Sequence, residues 1–261
     1  MSLSLIYGES GVGKTYSTLL STANLPEILG TSGKNIYYQI EPRDVKLQGL
    51  DLQNFIIVDQ SDFFNIFNQL EMALMEKKFE DPATRPASLF FDSLSYLMNV
   101  SLQSAIEDET FAAGTFSSKR KMLNRVKTDM GGYGAVAAYM NRFCSLLAQI
   151  SRKGVIVICS ALTKIELKRT DKLYPNFTGQ KFTTDFPGYF DLIGYVYREK
   201  KQPVVSFESD DDELESGRQS AYIAKNVGNI VKINPVELNW LKILGFEKES
   251  VESQEKKEVI A

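Results

Sequence analysis

Residues 3–15 read LSLIYGESGVGKT. Within them Gly8-Glu9-Ser10-Gly11-Val12-Gly13-Lys14-Thr15 completes the pattern G-x-x-x-x-G-K-T. The apolar run LSLIY has the length and make-up of a buried strand, and TYSTLLSTANL (15–25) reads as a helix ending near Pro26. A strand, a glycine loop and a helix in that order form a phosphate cradle. Gly8, Gly11 and Gly13 let the backbone turn so that several N–H groups converge on one point. The helix starting at about Gly13 adds its positive end. Lys14 can reach the β- and γ-phosphates, and the Thr15 hydroxyl can bind Mg²⁺. The cofactor-binding residues expected are therefore Gly8 through Thr15 (Glu9, Ser10 and Val12 included), together with Tyr16.

Working outward, apolar strands alternate with helices. NIYYQI (35–40), NFIIVDQ (54–60), SLFFD (88–92) and VIVICSA (155–161) read as strands. Asp62 can cap a helix carrying Phe63, Phe64, Phe67, Leu70, Ala73 and Leu74 at helical spacing. SYLMNVSLQSAIED (95–108) predicts a second helix, and AVAAYMNRFCSLLAQISRKG (135–154) a strong amphipathic one with a glycine stop. Residues 109–132 and 163–188 read as long polar loops. YFDLIGYVYRE (189–199), PVVSFES (203–209) and SAYIAKNV (220–227) read as strands, the last two pairing around the acidic turn DDDELESG. ELNWLKILG (237–245) predicts a closing helix. The expectation is one α/β domain over 1–246, a mostly parallel sheet flanked by helices with a C-terminal antiparallel edge, and a charged tail over 247–261.

Composition removes several chemistries. The chain has 261 residues and no histidine, so histidine-based acid–base catalysis, catalytic triads and most zinc sites are excluded. A net charge of −3 excludes a uniformly basic protein that coats nucleic acid, but not a local basic patch. Cys144 and Cys159 lie in apolar runs and read as buried free thiols, which fits a reducing, cytoplasmic setting (the host cytoplasm if the source is viral). With the first strand at Leu3, no secretory signal is expected, and no apolar run is long enough to cross a membrane.

Two carboxylates extend the cradle. Asp92 ends SLFFD at the strand edge where ligands of open α/β sheets sit, and there it can hold the Mg²⁺ shell. Glu41 ends NIYYQI and can point into the same crevice, where a carboxylate orients and deprotonates water in line with a γ-phosphate. An ordinary turn aspartate and an exposed strand-end glutamate are the plainer alternatives.

The order of these parts resembles the RecA-like P-loop ATPases: a GESGVGKT loop, IYYQIE with Glu41, NFIIVDQSDFFNIFNQL, then SLFFDSLSYL with Asp92 and Ser93. The likeness is nearer to the small RecA-core ATPases of bacteriophages, associated with recombination and single-strand annealing. It rests there on MGGYGAVAAYMNRF, VIVICSA and FPGYFDLIGYVYR. The resemblance implies ATP and Mg²⁺ as cofactors, Lys14, Glu41 and Asp92 as catalytic residues, Thr15 and Asp92 at the metal, and Glu41 as the group that activates water. It also departs from the family. The polar sensor expected after the fifth strand falls at Leu162, which leaves Ser160 or Thr163 as substitutes, or weak coupling to a partner. Nor is an oligomerisation strand expected before Leu3, which puts filament formation by that route in doubt.

In the family, the loops at the positions of 109–132 and 163–188 line the DNA path. Here they carry Lys119, Arg120, Lys121, Arg125 and Lys127, and Lys168 and Arg169, with Tyr174, Phe177 and Phe182 interleaved or adjacent. Basic residues would track phosphates and aromatics would stack on bases. A solvated helix face and a surface loop are the alternatives. Lys181 is a further candidate, reaching into a neighbouring subunit's site. The expected partners are DNA, single-stranded in the first instance, copies of the same chain, and recombination or single-strand-binding proteins, with no membrane. Two competing readings share the core: a nucleotide-dependent regulator or assembly factor without nucleic acid, and a small-molecule kinase.

Overall fold

The computed structural model describes residues 3–42, 52–106, 130–165, 173–199, 202–207 and 232–233. Strands β1 (Leu3–Gly8), β2 (Asn35–Gln39), β3 (Phe55–Asp59), β4 (Ser88–Asp92) and β5 (Ile156–Ile165) form the parallel part of a sheet, joined by β7 (Leu192–Glu199). The strand order is β3-β2-β4-β5-β1-β7, continued beyond β7 by two further strands. Strand β8 (Gln202–Ser206) runs antiparallel to β7, and β9 (Lys232–Ile233) antiparallel to β8. This is the mostly parallel, helix-flanked sheet expected above, with its antiparallel edge.

Strand alternation sorts the sheet into two faces. On one, Ile6, Tyr37, Phe90 and Ile158 pack with Val12 and Leu19, beneath α1 (Lys14–Thr22) and α2 (Leu25–Leu29). On the other, Leu5, Tyr38, Phe91, Val157 and Cys159 pack beneath three helices. These are α3 (Phe63–Met75), α4 (Leu94–Tyr96, continuing as a π-helical turn through Leu102) and α5 (Met130–Arg152). Asp62 caps α3 as its position implied, accepting from the Asn65 N–H at 2.7 Å.

Several boundaries differ from the sequence reading. Pro26 does not end the first helix; it opens the separate helix α2, because proline is tolerated in a first turn where its missing N–H is not needed. Helix α5 starts at Met130, so Gly131 and Gly132 are helical rather than part of a loop. Strand β5 runs four residues beyond Ala161, and its end pairs antiparallel with β6 (Leu173–Pro175). The polar stretch 163–188 therefore holds β6, helix α6 (Gln180–Asp185) and a 3₁₀ turn (Phe186–Tyr189). The expected strand 220–227, its hairpin, the helix 237–245 and the tail 247–261 lie outside the described residues.

Candidate active site

The loop between β1 and α1 has the backbone of an anion cradle. Gly11 (φ 79°) and Gly13 (φ 102°) occupy left-handed conformations that side-chain-bearing residues rarely adopt. Gly8 serves another purpose: a Cβ there would meet the Val196 carbonyl oxygen at 2.2 Å, so glycine lets β1 lie close against β7. Lys14 is buried and folds back over the loop, its Nζ donating to the carbonyls of Gly8 (3.0 Å) and Glu9 (2.8 Å). Val12 packs into the core below.

A cleft of about 230 Å³ opens above the loop, lined by Ser10, Gly11, Gly13, Lys14, Thr15 and Tyr16 from the loop and α1. Tyr37, Glu41, Asp92, Ser93 and Leu162 close its far side. Their convergence follows from strand periodicity. Tyr37 and Glu41 are four residues apart, and Asp92 stands two beyond Phe90. Ser160 and Leu162 stand two and four beyond Ile158. Each lies on the alternation that puts Tyr37, Phe90 and Ile158 on the α1 face.

Asp92 gathers three hydroxyls. Thr15 Oγ1 donates to its Oδ2 at 2.5 Å, Tyr37 OH donates to the same oxygen at 3.3 Å, and Ser160 Oγ donates to Oδ1. Burial, and then the Asp92 charge, push the Tyr37 phenol well above its ordinary pKa, so it stays a donor. The donors are hard oxygens, as Mg²⁺ requires. Among the described residues no group of three or more His, Cys, Asp or Glu could hold a metal alone. Thr15 and Asp92 are the residues here that could hold such a metal from the protein side. Glu41 stands beside Asp92, its main-chain N–H donating to the Asp92 carbonyl at 3.2 Å and its Oε1 accepting from Ser93 Oγ at 2.7 Å. The Asp92–Ser93 peptide bond is cis.

Residues 3–229 match the AAA domain family. This chain belongs to that family. A solved structure similar to it is a KaiC-like protein from the hyperthermophilic archaeon Pyrococcus horikoshii OT3, with 12% sequence identity and a TM-score of 0.42 over 78% of this chain and 77% of that one. Comparison with curated proteins found no match.

In this AAA domain the question left by Leu162 has a structural answer. Leucine does face the cleft. Ser160 is engaged with Asp92, and Thr163 Oγ1 is turned to the Tyr174 carbonyl at 3.5 Å. Tyr37 and Arg198 were not singled out for the site from sequence, and Ser160 was named only as a substitute for the sensor, not as a partner of Asp92. Tyr37 and Ser160 reach Asp92, and Arg198 of β7 donates from Nη2 to the Gly11 carbonyl at 2.8 Å. Period-two spacing from core residues could have found Tyr37 and Ser160. Arg198 carries no such local signal, because only the β1–β7 pairing brings it to the loop.

The aromatic half of the expected polymer site is corrected. Tyr174, Phe177 and Phe182 are buried, and Phe177 packs edge-on against Phe182 and Phe186 with ring centroids 5.1 Å apart in each pair. They are core residues with no face to offer a base. Lys164 of the same segment donates to the Phe177 carbonyl at 2.5 Å, with Nζ 4.9 Å from the centre of the Tyr174 ring. Lys119, Arg120, Lys121, Arg125, Lys127, Lys168 and Arg169 lie outside the described residues, as does the side chain of Lys181 in α6. Cys144 and Cys159 are buried free thiols. Among the described residues no helix is long and apolar enough to cross a membrane.

Proposed function

We propose that this AAA domain is a Mg²⁺-dependent ATPase that works on DNA, single-stranded in the first instance, as an oligomer. The observation that carries the hydrolytic part is the placing of Thr15, Asp92 and Glu41 around one cleft, with Thr15 and Asp92 in contact and Glu41 beside them. Glu41 takes a proton from a water in line with the γ-phosphate, and that oxygen attacks phosphorus. The bond to the β–γ bridging oxygen breaks, and its electron pair leaves with ADP. Lys14 and the loop N–H groups stabilise the charge on the transferring group. Thr15 and Asp92 would hold Mg²⁺ from the protein side, and it would supply charge neutralisation at the phosphates.

The DNA part rests on the basic residues of 119–127 and on Lys168 and Arg169 in a chain of net charge −3. It also rests on the likeness to bacteriophage ATPases of recombination and annealing. A second reading, a nucleotide-dependent regulator or assembly factor without nucleic acid, is favoured by two observations. Leu162 faces the cleft where a polar sensor would stand, and the aromatics between the basic residues are buried.

One experiment separates the two: the ATPase rate of the full chain with and without single-stranded DNA, read beside the mass of the particle in solution. Stimulation by DNA, with strand affinity that falls steeply as salt rises, supports the first reading. Hydrolysis indifferent to DNA supports the second. Glu41→Gln should bind ATP and fail to hydrolyse it, and hydrolysis at the native rate would remove Glu41 as the base.

A further inference from the structure

We propose that Ser93 is a positioning residue for hydrolysis: its hydroxyl orients the Glu41 carboxylate towards the attacking water. The inference rests on the reading of Glu41 as the base and adds the group that holds it.

The direction of the hydrogen bond follows from Ser93's second partner. Its Oγ lies 3.4 Å from the Tyr96 N–H, which can only donate, so Oγ accepts there and caps α4. The single hydroxyl proton is thereby directed at Glu41 Oε1, 2.7 Å away. Ser93 is itself buried and well fixed. Its hydroxyl caps the helix, and its carbonyl accepts from Leu97 N–H at 3.1 Å. The backbone leading into Glu41 is pinned as well, since the N–H groups of Ile40 and Glu41 both donate to the Asp92 carbonyl, at 2.9 and 3.2 Å. With the backbone fixed, the conformation of a flexible glutamate side chain decides where its carboxylate points. One of its oxygens is held by a buried hydroxyl on the neighbouring strand end.

The opposite wall makes this contact consequential. On β5, Ser160 donates to Asp92 and Leu162 presents an apolar side chain to the cleft. Neither is placed to steer a water. Glu41 can orient a water there, and the Ser93 hydroxyl holds one of its carboxylate oxygens. An error of about 1 Å in such a group costs on the order of a hundredfold in rate.

The test is steady-state ATP hydrolysis by the full chain carrying Ser93→Ala, Ser93→Cys, Ser93→Thr or Glu41→Gln, with ADP affinity and thermal midpoint measured on each. Ser93→Ala should lower kcat roughly tenfold to a hundredfold, while KM for ATP stays within about twofold, as for an interaction that acts on the chemical step alone. Ser93→Cys, close in size but a weak donor, should fall with Ala and guards against a variant that does not fold. Ser93→Thr restores the hydroxyl and should recover most of kcat. Native kcat in Ser93→Ala or Ser93→Cys beside an inactive Glu41→Gln would overturn the inference while leaving Glu41 as the base. So would a loss of kcat matched by equal losses in ADP affinity and thermal midpoint, the mark of a helix cap alone. Native hydrolysis by Glu41→Gln would overturn the assignment of the base itself.

Discussion

The phosphate cradle and the segment from Thr163 to Phe190 are both polar-looking stretches punctuated by glycine, yet they do opposite things. In the cradle the residues border a cleft: Lys14 lines it while its Nζ donates to the Gly8 and Glu9 carbonyls, and Thr15 Oγ1 reaches Asp92. In the segment, Tyr174, Phe177, Phe182, Phe186 and Phe190 turn inward and build core, and Lys164 is spent on the Phe177 carbonyl. The difference teaches that a motif with its own backbone requirement can be trusted locally. A scatter of aromatics and lysines cannot, because the same residues serve a ligand or a core depending on what lies beneath them.

The comparison breaks first at Lys14. Lys14→Ala should cut kcat/KM for ATP by about 10²–10³-fold, the scale of losing one preorganised charge-stabilising donor. Steady-state kinetics checks it, and a loss below about threefold would mean that the cradle does not work on phosphates. The segment is probed at Phe182. Phe182→Ala should destabilise the fold by about 3–5 kcal/mol, as large-to-small core changes do, measured by denaturant unfolding. A stable Phe182→Ala protein that instead loses single-strand affinity by about 1–3 kcal/mol, the worth of one stacked base, would return the segment to nucleic acid.

A smaller effect sharpens the cleft side. Tyr37→Phe removes one hydroxyl from Asp92 and should cost about 0.5–1.5 kcal/mol of stability. It should also raise the Mg²⁺ concentration for half-maximal hydrolysis by up to about tenfold, the low end for an outer partner of a metal ligand. Unchanged Mg²⁺ dependence would make Tyr37 a packing residue alone.

The smallest effect concerns alkali. Burial pushes the Cys144 thiol up from 9.0 to about 12 and the Tyr38 phenol from 10.0 to about 12, and it raises Cys159 and Tyr37 as well. Above pH about 9 the unfolded chain releases these protons first and binds fewer than the folded one, so stability must fall as pH rises. Denaturation midpoints at pH 7.5, 9 and 10 should decline in that order, and a rise would contradict the burial of these groups.

What was legible followed locality. The cradle, Asp62 at the α3 cap, Asp92 ending β4 and Glu41 just beyond β2 announce themselves through residue type and short spacing. The start of α5 did not, because Gly131 and Gly132 resemble a loop. The β5 extension was equally hidden, because Thr163–Ile165 become strand by pairing with β6. Ser160 sat in a run that reads as uniformly buried, and its partner Asp92 is 68 residues away.

By itself the sequence determined the cradle's glycines, the faces of each strand, and the acids at the ends of two of them, since these depend on backbone sterics and a two-residue period. The tertiary structure alone decided which strand ends meet. It set β5 between β4 and β1, so that Ser160 meets Asp92 and Leu162 faces the cleft. It set β2 beside β4, so that Ser93 meets Glu41. Strand order and register come from burying two whole faces of a sheet at once, a condition that no local stretch contains.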